Sequence, residues 1–391
     1  AKNESITRQS FYAQNPNQIQ APYSEEIVYC QPPNVHIIHQ DQNGGYCIGT
    51  EGKGVKYFSQ NDGAVKNYNF NLVKPEVTTS ILEDRQGTIW ICGTMGAGLF
   101  KTDLYSLKYQ LNTDFRNVGR VLQSPYDPEI LWICSQQYGL RKMNLKTSET
   151  ISYLHDKNKP QSIGHTWVRS LYQENENTLW VGLGNGGAYG DHDGYGGIGR
   201  MDIESETFTK YKLTRTDDGK DDFSYSVYSI HEDHEGRLWL GAGPGGIFRS
   251  DKEKKVFEHF KIYQDADRSK NAYFNIARID SNGDIWASDF SGEGTLFKYD
   301  WQDNRFKPFM NGVKMYNLVL DEKGWLLISS WEKGLFHVNP VDRSYVQYTK
   351  KDGLPSDKAL DIAKGGKGIY WVNSRVGPAK FDSNTGKVSS V

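Results

Sequence analysis

An internal repeat constrains the fold of this chain more than any other feature. The segment EDRQGTIWICGTMGAGLFKTD (83–103) returns as EDHEGRLWLGAGPGGIFRSD (232–251), and weaker copies recur along the sequence. Each copy contains an Asp, a tight turn with Gly, an apolar-Trp-apolar triplet, a short loop, a second Gly and an apolar-aromatic pair. The tryptophan position is filled in turn by Tyr46, Trp90, Trp132, Trp180, Trp239, Trp286, Leu327 and Trp371.

This spacing predicts a β-propeller. Successive tryptophan positions lie 41 to 59 residues apart, and the copies alternate short apolar strands with Gly-rich turns. We therefore expect an all-β fold, a single β-propeller of four-stranded antiparallel blades over residues 35–391, with eight blades favoured and seven as the alternative. Residues 1–34 form an N-terminal segment that could supply a ring-closing strand, and KVSSV at the C-terminus is the other candidate for that place.

The acidic residue that opens each copy is predicted to be structural. An Asp before a Gly-containing turn ties the turn through its side chain, so it should not be interpreted as a catalytic carboxylate. The residues concerned are Asp41, Asp84, Asp233, Asp280 and Asp321.

Composition excludes several classes of function. A formal charge of −2 over 391 residues argues against nucleic-acid binding, and the absence of an 18-residue apolar run argues against membrane insertion. Four cysteines, at positions 30, 47, 92 and 134, form no CxxC pair, so no zinc site is expected. We expect free, buried thiols that behave as small hydrophobic residues.

The aligned copies resemble the two-component regulator propeller repeat, roughly D-x-x-G-x-[IL]-W-x-G-T, from about Val35 to Asp382. That family is known from extracytoplasmic sensor domains of bacterial hybrid histidine kinases, which respond to breakdown products of polysaccharides. The resemblance implies a periplasmic or extracellular location, a carbohydrate ligand and further domains if the chain is a fragment. More distantly, the repeats resemble streptogramin lyase and polysaccharide lyase propellers, so an enzyme remains an alternative.

The stretch GLGNGGAYGDHDGYGGIGR (182–200) lengthens one turn of one blade. The tryptophan position and the following Gly are 17 residues apart here, against 7 or 8 in neighbouring copies. A phosphate-binding loop would need a helix after it, whereas a strand is predicted. A ligand-contacting loop and a solvated loop both remain open, and no cofactor is expected. Calcium near Asp191 and Asp193 is the metal alternative, although two carboxylates fall short of the oxygens that calcium takes.

Long interblade connections (154–168, 213–227 and 263–276) should rise from the same rim as this loop. Their aromatic, acidic and basic residues suit a sugar, which stacks on rings and accepts polar contacts. The predicted ligand-binding residues are Trp167, Asp191, Asp193, Tyr195, Tyr225, Tyr273 and Trp331. Trp167 could equally pack the rim, Arg169 could line the channel, and the tyrosines could be core.

Three functions follow, in order of preference. The first is binding of an oligosaccharide or polysaccharide fragment on the loop-rich rim. The second is a polysaccharide lyase or glycoside hydrolase, and its candidate catalytic residues are His165, His192, Arg169 and Tyr189. In the lyase, Arg169 would neutralise a uronate carboxylate, a histidine would take the proton and a tyrosine would protonate the leaving oxygen. A hydrolase would need two carboxylates, with Asp191 and Asp193 as candidates. The third is a protein-interaction scaffold.

Overall fold

The computed structural model describes most of the chain from residue 35 onwards. The described residues are 35–50, 54–59, 65–68, 77–94, 98–102, 109–112, 118–135, 138–184, 196–211, 213, 226–243, 246–260, 262, 274–280, 282–289, 292–374 and 376–390. They contain thirty-two strands and a short 3-10 turn at Lys350–Asp352. The chain divides into two compact units.

The first unit, Ala1–Arg116 with Met315–Val391, holds blades 1, 2, 7 and 8. Its strands are β1 (Val35–Gln40), β2 (Tyr46–Thr50), β3 (Val55–Phe58) and β4 (Val65–Tyr68) in blade 1; β5 (Val77–Glu83), β6 (Ile89–Thr94), β7 (Gly98–Thr102) and β8 (Tyr109–Asn112) in blade 2; β25 (Met315–Leu320), β26 (Leu326–Ser330), β27 (Gly334–Val338) and β28 (Tyr345–Tyr348) in blade 7; and β29 (Ala359–Lys364), β30 (Ile369–Ser374), β31 (Gly377–Asp382) and β32 (Lys387–Ser390) in blade 8.

The second unit, Asn117–Lys314, holds blades 3 to 6. Its strands are β9 (Val118–Gln123), β10 (Ile130–Ser135), β11 (Leu140–Asn144) and β12 (Thr150–Tyr153) in blade 3; β13 (Val168–Asn175), β14 (Thr178–Leu183), β15 (Gly197–Asp202) and β16 (Thr207–Tyr211) in blade 4; β17 (Ser226–Glu232), β18 (Leu238–Gly243), β19 (Gly246–Ser250) and β20 (Phe257–Phe260) in blade 5; and β21 (Phe274–Ile279), β22 (Ile285–Asp289), β23 (Thr295–Asp300) and β24 (Arg305–Asn311) in blade 6.

All eight sheets are four-stranded antiparallel meanders in which each strand pairs with the next along the chain. The predicted all-β fold, a propeller of eight four-stranded blades, is therefore confirmed. The C-terminal KVSS is strand β32, the outer strand of blade 8, and pairs with β31. The N-terminal segment 1–34 lies outside the described residues.

Hydrophobic cores lie between consecutive blades. In the second unit, Trp132 of blade 3 is buried with Leu179 and Val181 of blade 4, and Trp180 is buried with Leu238 and Leu240 of blade 5. The tryptophan of one blade thus fills the space against the next, and this large side chain is almost completely buried. In the first unit, buried clusters also join blades 1 and 2 and blades 7 and 8, with Tyr57 and Leu327 among their described members.

The turn Asp has the structural role predicted for it. In blade 5, one oxygen of Asp233 accepts the backbone N–H groups of Glu235 and Arg237 at 2.9 Å, and the other accepts Trp239 Nε1 at 2.8 Å. The turn Gly236 has φ 79°, which only glycine adopts without strain. Asp84 and Asp280 make the same contacts to their own turns and tryptophans.

Blades without the full signature use other partners. The side chain of Leu327 in blade 7 has no N–H donor corresponding to the tryptophan Nε1, and Asp321 contacts His337 Nε2 at 2.9 Å instead. In blade 8, Gly365 replaces the Asp, and a Cβ there would lie 2.5 Å from the Trp371 ring. The ring of Tyr46 in blade 1 packs 4.7 Å from that of Trp371. The glycine at this turn thus leaves room for the Trp371 ring, which packs against Tyr46 between blades 8 and 1.

The cysteines that the structure describes are free and buried, as predicted. Cys47, Cys92 and Cys134 have exposed fractions of 1%, 0% and 0%. Burial raises the pKa of the Cys134 thiol to about 12, which keeps it protonated. Cys30 lies outside the described residues.

Candidate functional site

A β-bulge recurs near the start of the first strand of seven blades. Pairing between the first and second strands skips one residue, which therefore leaves the regular alternation of the sheet. The skipped residues are His36, Thr79, Gly119, Arg169, Tyr228, Tyr316 and Leu360. Bulges often re-aim a side chain next to a functional site, so this position marks where variable chemistry is displayed.

Two bulged residues of the second unit form a cluster with Trp167. The guanidinium carbon of Arg169 in blade 4 lies 5.0 Å from the centre of the Trp167 ring and 5.5 Å from that of Tyr228 in blade 5. Arg169 Nε donates to the carbonyl oxygen of Gly184 at 2.8 Å. All three side chains are partly exposed. We call Trp167, Arg169 and Tyr228 the bulge cluster.

The described residues give the charge of Arg169 little compensation. Burial lowers the pKa of its guanidinium, and Tyr228 only partly opposes this. Among the described residues, no carboxylate forms an ion pair with Arg169, and its two Nη groups donate no hydrogen bond. The cluster therefore presents an oriented cation between two aromatic faces.

His165 is buried, with an exposed fraction of 4%. Its Nδ1 accepts the backbone N–H of Trp167 at 2.9 Å. That contact uses the lone pair of Nδ1 and requires Nδ1 to be unprotonated. His165 thus fixes the chain immediately before the bulge and holds Trp167 in place.

The glycine-rich stretch begins beside the bulge cluster. Gly184, the last described residue before 185–195, donates its N–H to the carbonyl oxygen of Trp167 at 3.0 Å. The stretch leaves β14 and enters β15, so a strand follows it, as predicted. Seven predicted site residues lie outside the described residues and stay predictions: Tyr189, Asp191, His192, Asp193, Tyr195, Tyr225 and Tyr273.

Trp331, the remaining predicted residue, belongs to a cluster in the first unit. Its ring stacks on Tyr316, the bulged residue of blade 7, with centroids 5.5 Å apart and planes 22° apart. Lys358 Nζ lies 4.9 Å from the centre of the Trp331 ring. Tyr316 is 45% exposed, so this pair offers an aromatic face to a ligand.

Sequence reasoning missed Tyr228, Tyr316 and Lys358. A usable signal was present, because the bulged residue stands five positions before the acidic residue of its turn, as Tyr228 does before Asp233 and Arg169 before Glu174. The bulge itself depends on strand pairing, which a single copy of the repeat does not reveal. Among the described side chains, no three His, Cys, Asp or Glu residues are grouped to hold a metal ion.

Comparison with protein families supports the repeat assignment. The family described as two component regulator propeller matches residues 71–95 and 222–243, which include the turns and tryptophans of blades 2 and 5. The resemblance seen in the repeats is therefore confirmed. No curated protein sequence matches the chain significantly. No helix in the described part is long and apolar enough to cross a membrane.

Solved structures share the fold at low sequence identity. The extracellular domain assigned to the hybrid two component system BT3049 of B. thetaiotaomicron is 19% identical over 80% of this chain, with a TM-score of 0.54. This chain spans 39% of that domain's length. Virginiamycin B lyase from Staphylococcus aureus is 12% identical, with a TM-score of 0.51 and coverage of 77% of this chain and 92% of the lyase. The designed protein Ika8 reaches a TM-score of 0.58 at 9% identity, covering 92% of this chain and 96% of Ika8.

Proposed function

We propose that this chain, which carries two-component regulator propeller repeats, is an extracytoplasmic sensor propeller that binds an oligosaccharide at the bulge cluster. The observation that carries the proposal is the arrangement of Trp167, Arg169 and Tyr228, in which two partly exposed rings flank one fixed guanidinium. The similarity to an extracellular sensor domain supports the location and the sensing role.

The chemistry of the cluster suits a sugar. The C–H face of a pyranose packs on an aromatic ring, and its hydroxyl groups accept hydrogen bonds from a guanidinium. The backbone of Trp167 is held by His165 and by Gly184, which restricts where its ring can lie before the ligand arrives. Such preorganisation reduces the entropy lost on binding.

The burial and hydrogen bonding of His165, a candidate catalytic residue, favour binding over catalysis. His165 would have to exchange a proton with a substrate, yet it is buried and its Nδ1 is bonded to the backbone. A general base needs direct or water-mediated access to the proton it takes. The lyase and hydrolase alternatives therefore depend on His192, Tyr189, Asp191 and Asp193.

The test is titration calorimetry of the protein against a panel of neutral and acidic oligosaccharides, with mass spectrometry of every glycan afterwards. We expect at least one glycan to bind and to be recovered intact. Trp167→Ala should weaken binding about tenfold or more through loss of the stacking face.

Trp301→Ala provides the matched control. Trp301 also packs beneath an arginine, with Arg237 5.4 Å from its ring centre, but it lies in the β23–β24 turn at the opposite end of its blade. Its variant should keep the wild-type affinity. Binding of no glycan, or equal loss in both variants, would contradict the proposal, and cleaved products would establish an enzyme instead.

A further inference from the structure

We propose that the ligand of the bulge cluster carries a carboxylate, as in a uronate-bearing oligosaccharide, and that Arg169 is the residue that reads it. This inference rests on the proposed function and narrows it to one chemical class. It makes Arg169 a specificity determinant. A uronate-bearing oligosaccharide and its uncharged ester should differ in affinity because of the Arg169 guanidinium.

The guanidinium of Arg169 is held in one orientation. Its Nε donates to Gly184 at 2.8 Å, and the rings of Trp167 and Tyr228 lie near the guanidinium. The bond at Nε leaves the edge with the two Nη groups available. Two parallel N–H groups on that edge match the two oxygens of a carboxylate.

Comparable arginines of the same unit already have carboxylate partners. Arg249 lies over the Trp239 ring and pairs with Glu258 at 2.7 Å. Arg237 lies over Trp301 and pairs with Asp233 at 3.1 Å. Among the described residues, Arg169 stacks in the same way without such a partner.

Holding the Arg169 charge without a carboxylate from the described residues has a cost. A half-buried guanidinium loses hydration, and burial lowers its pKa accordingly. A charge held in this way binds an incoming anion more strongly than an exposed one does, because surrounding protein excludes part of the screening water. The ligand would supply the counter-ion that Glu258 supplies to Arg249.

The charge of Arg169 distinguishes it from the bulged residues of the neighbouring blades. The equivalent bulged residues of neighbouring blades are neutral: Gly119 in blade 3 and Tyr228 in blade 5. The charge at Arg169 is thus a property of this blade rather than of the repeat. If the arginine served only to pack the bulge, we would expect an arginine or a similar side chain at the bulges of the neighbouring blades as well.

The experiment is calorimetry with uronate oligosaccharides containing galacturonate, glucuronate, mannuronate or iduronate, each paired with its methyl ester and its carboxyl-reduced form. A sulfated galactan oligosaccharide, which is anionic but has no carboxylate, distinguishes a carboxylate from another anion. The variants are Arg169→Gln and Arg169→Lys, with Arg249→Gln as the matched control, and circular dichroism checks that each variant is folded.

We expect one uronate to bind the wild type about tenfold or more tighter than its ester and its reduced form. Arg169→Gln should abolish that difference, Arg169→Lys should keep part of it, and Arg249→Gln should keep all of it. Affinity for the uronate should fall as salt is raised, because screening weakens the pairing.

Three results would overturn the inference. Equal affinity for acid, ester and reduced form, with binding still lost in Trp167→Ala, leaves the proposed function standing and removes the carboxylate. Tighter binding of the sulfated galactan than of every uronate assigns Arg169 a different anion. Binding of no glycan of any charge removes both the inference and the proposed function.

Discussion

Arg169 and Tyr228 occupy the same bulged position in the first strands of neighbouring blades, and the guanidinium carbon of Arg169 lies 5.5 Å from the centre of the Tyr228 ring. Each stands five residues before the acidic residue of its own turn. In seven blades the repeat thus places one residue outside the regular strand pairing, and the residue type at that position differs from blade to blade while the four-stranded blade is kept.

The ring of Tyr228, rather than its hydroxyl group, should support ligand binding. Tyr228→Phe keeps the aromatic face beside Arg169 and should stay within about twofold of wild-type affinity for the uronate ligand, whereas Tyr228→Ala should lose about fivefold or more. Titration calorimetry measures both. Loss of affinity in Tyr228→Phe equal to that in Tyr228→Ala would mean that the hydroxyl group contacts the ligand.

The turn Asp of blade 5 should be a major source of stability. Asp233→Ala leaves the Trp239 indole N–H and two turn N–H groups without their acceptor. Because each buried donor left unsatisfied costs free energy, we expect unfolding to become easier by about 3–4 kcal/mol. Urea denaturation measures this against Asp342→Ala, an exposed turn residue bonded to Ser344, which should cost less than about 1 kcal/mol. Equal costs would refute the role assigned to Asp233.

Asp361 of blade 8 should make stability depend on pH. Burial raises its pKa to about 6, and hydrogen bonds from Asn317 Nδ2 and the N–H of Ile362 only partly offset this. Because the folded-state pKa exceeds the unfolded one, the folded protein disfavours the ionised form. This cost is absent below pH 4, grows as the pH rises towards 6, and is constant above it.

The variant Asp361→Asn keeps the acceptor oxygen and removes the charge. We expect it to be more stable than the wild type by about 1–3 kcal/mol at pH 8 and to match it at pH 4. Thermal unfolding at both pH values, with Asp342→Asn as an exposed control, measures the difference. A gain that persists unchanged at pH 4 would rule out ionisation as its cause.

The three described thiols should be inert in the folded protein. Cys47, Cys92 and Cys134 are buried, and burial raises the pKa of Cys47 and Cys134. Only the thiolate is nucleophilic, so alkylation should be slow under native conditions and complete in urea. Peptide mapping after iodoacetamide treatment reports each position separately. Rapid native alkylation at any of the three would contradict the packing described for it.

The sequence predicts the blade because each blade repeats its determinants locally. Asp233, Gly236 and Trp239 lie within seven consecutive residues, and their contacts stay within one turn and strand. Blades 7 and 8 depart from that pattern through distant partners, as when Asp321 contacts His337 or when Tyr46 packs on Trp371. Such substitutions are recognisable only once the neighbouring strand or blade is known.

The candidate site is less predictable for the same reason. Trp167 and Arg169 were identified from their place in a long interblade connection, whereas Tyr228 joins them across a blade boundary, 59 positions after Arg169. His165 was expected to be a proton-transfer residue because it sits in a polar connection. Its burial and its bond to the Trp167 N–H follow from the fold of 154–167 against blade 4, which residue types alone do not specify.

The most direct test is a crystal structure of the protein with the tightest-binding glycan of the panel. We expect a sugar ring packed on Trp167 and a carboxylate within hydrogen-bonding distance of the Nη groups of Arg169, beside Tyr228. A glycan bound elsewhere on the propeller, with the bulge cluster unoccupied, would contradict it.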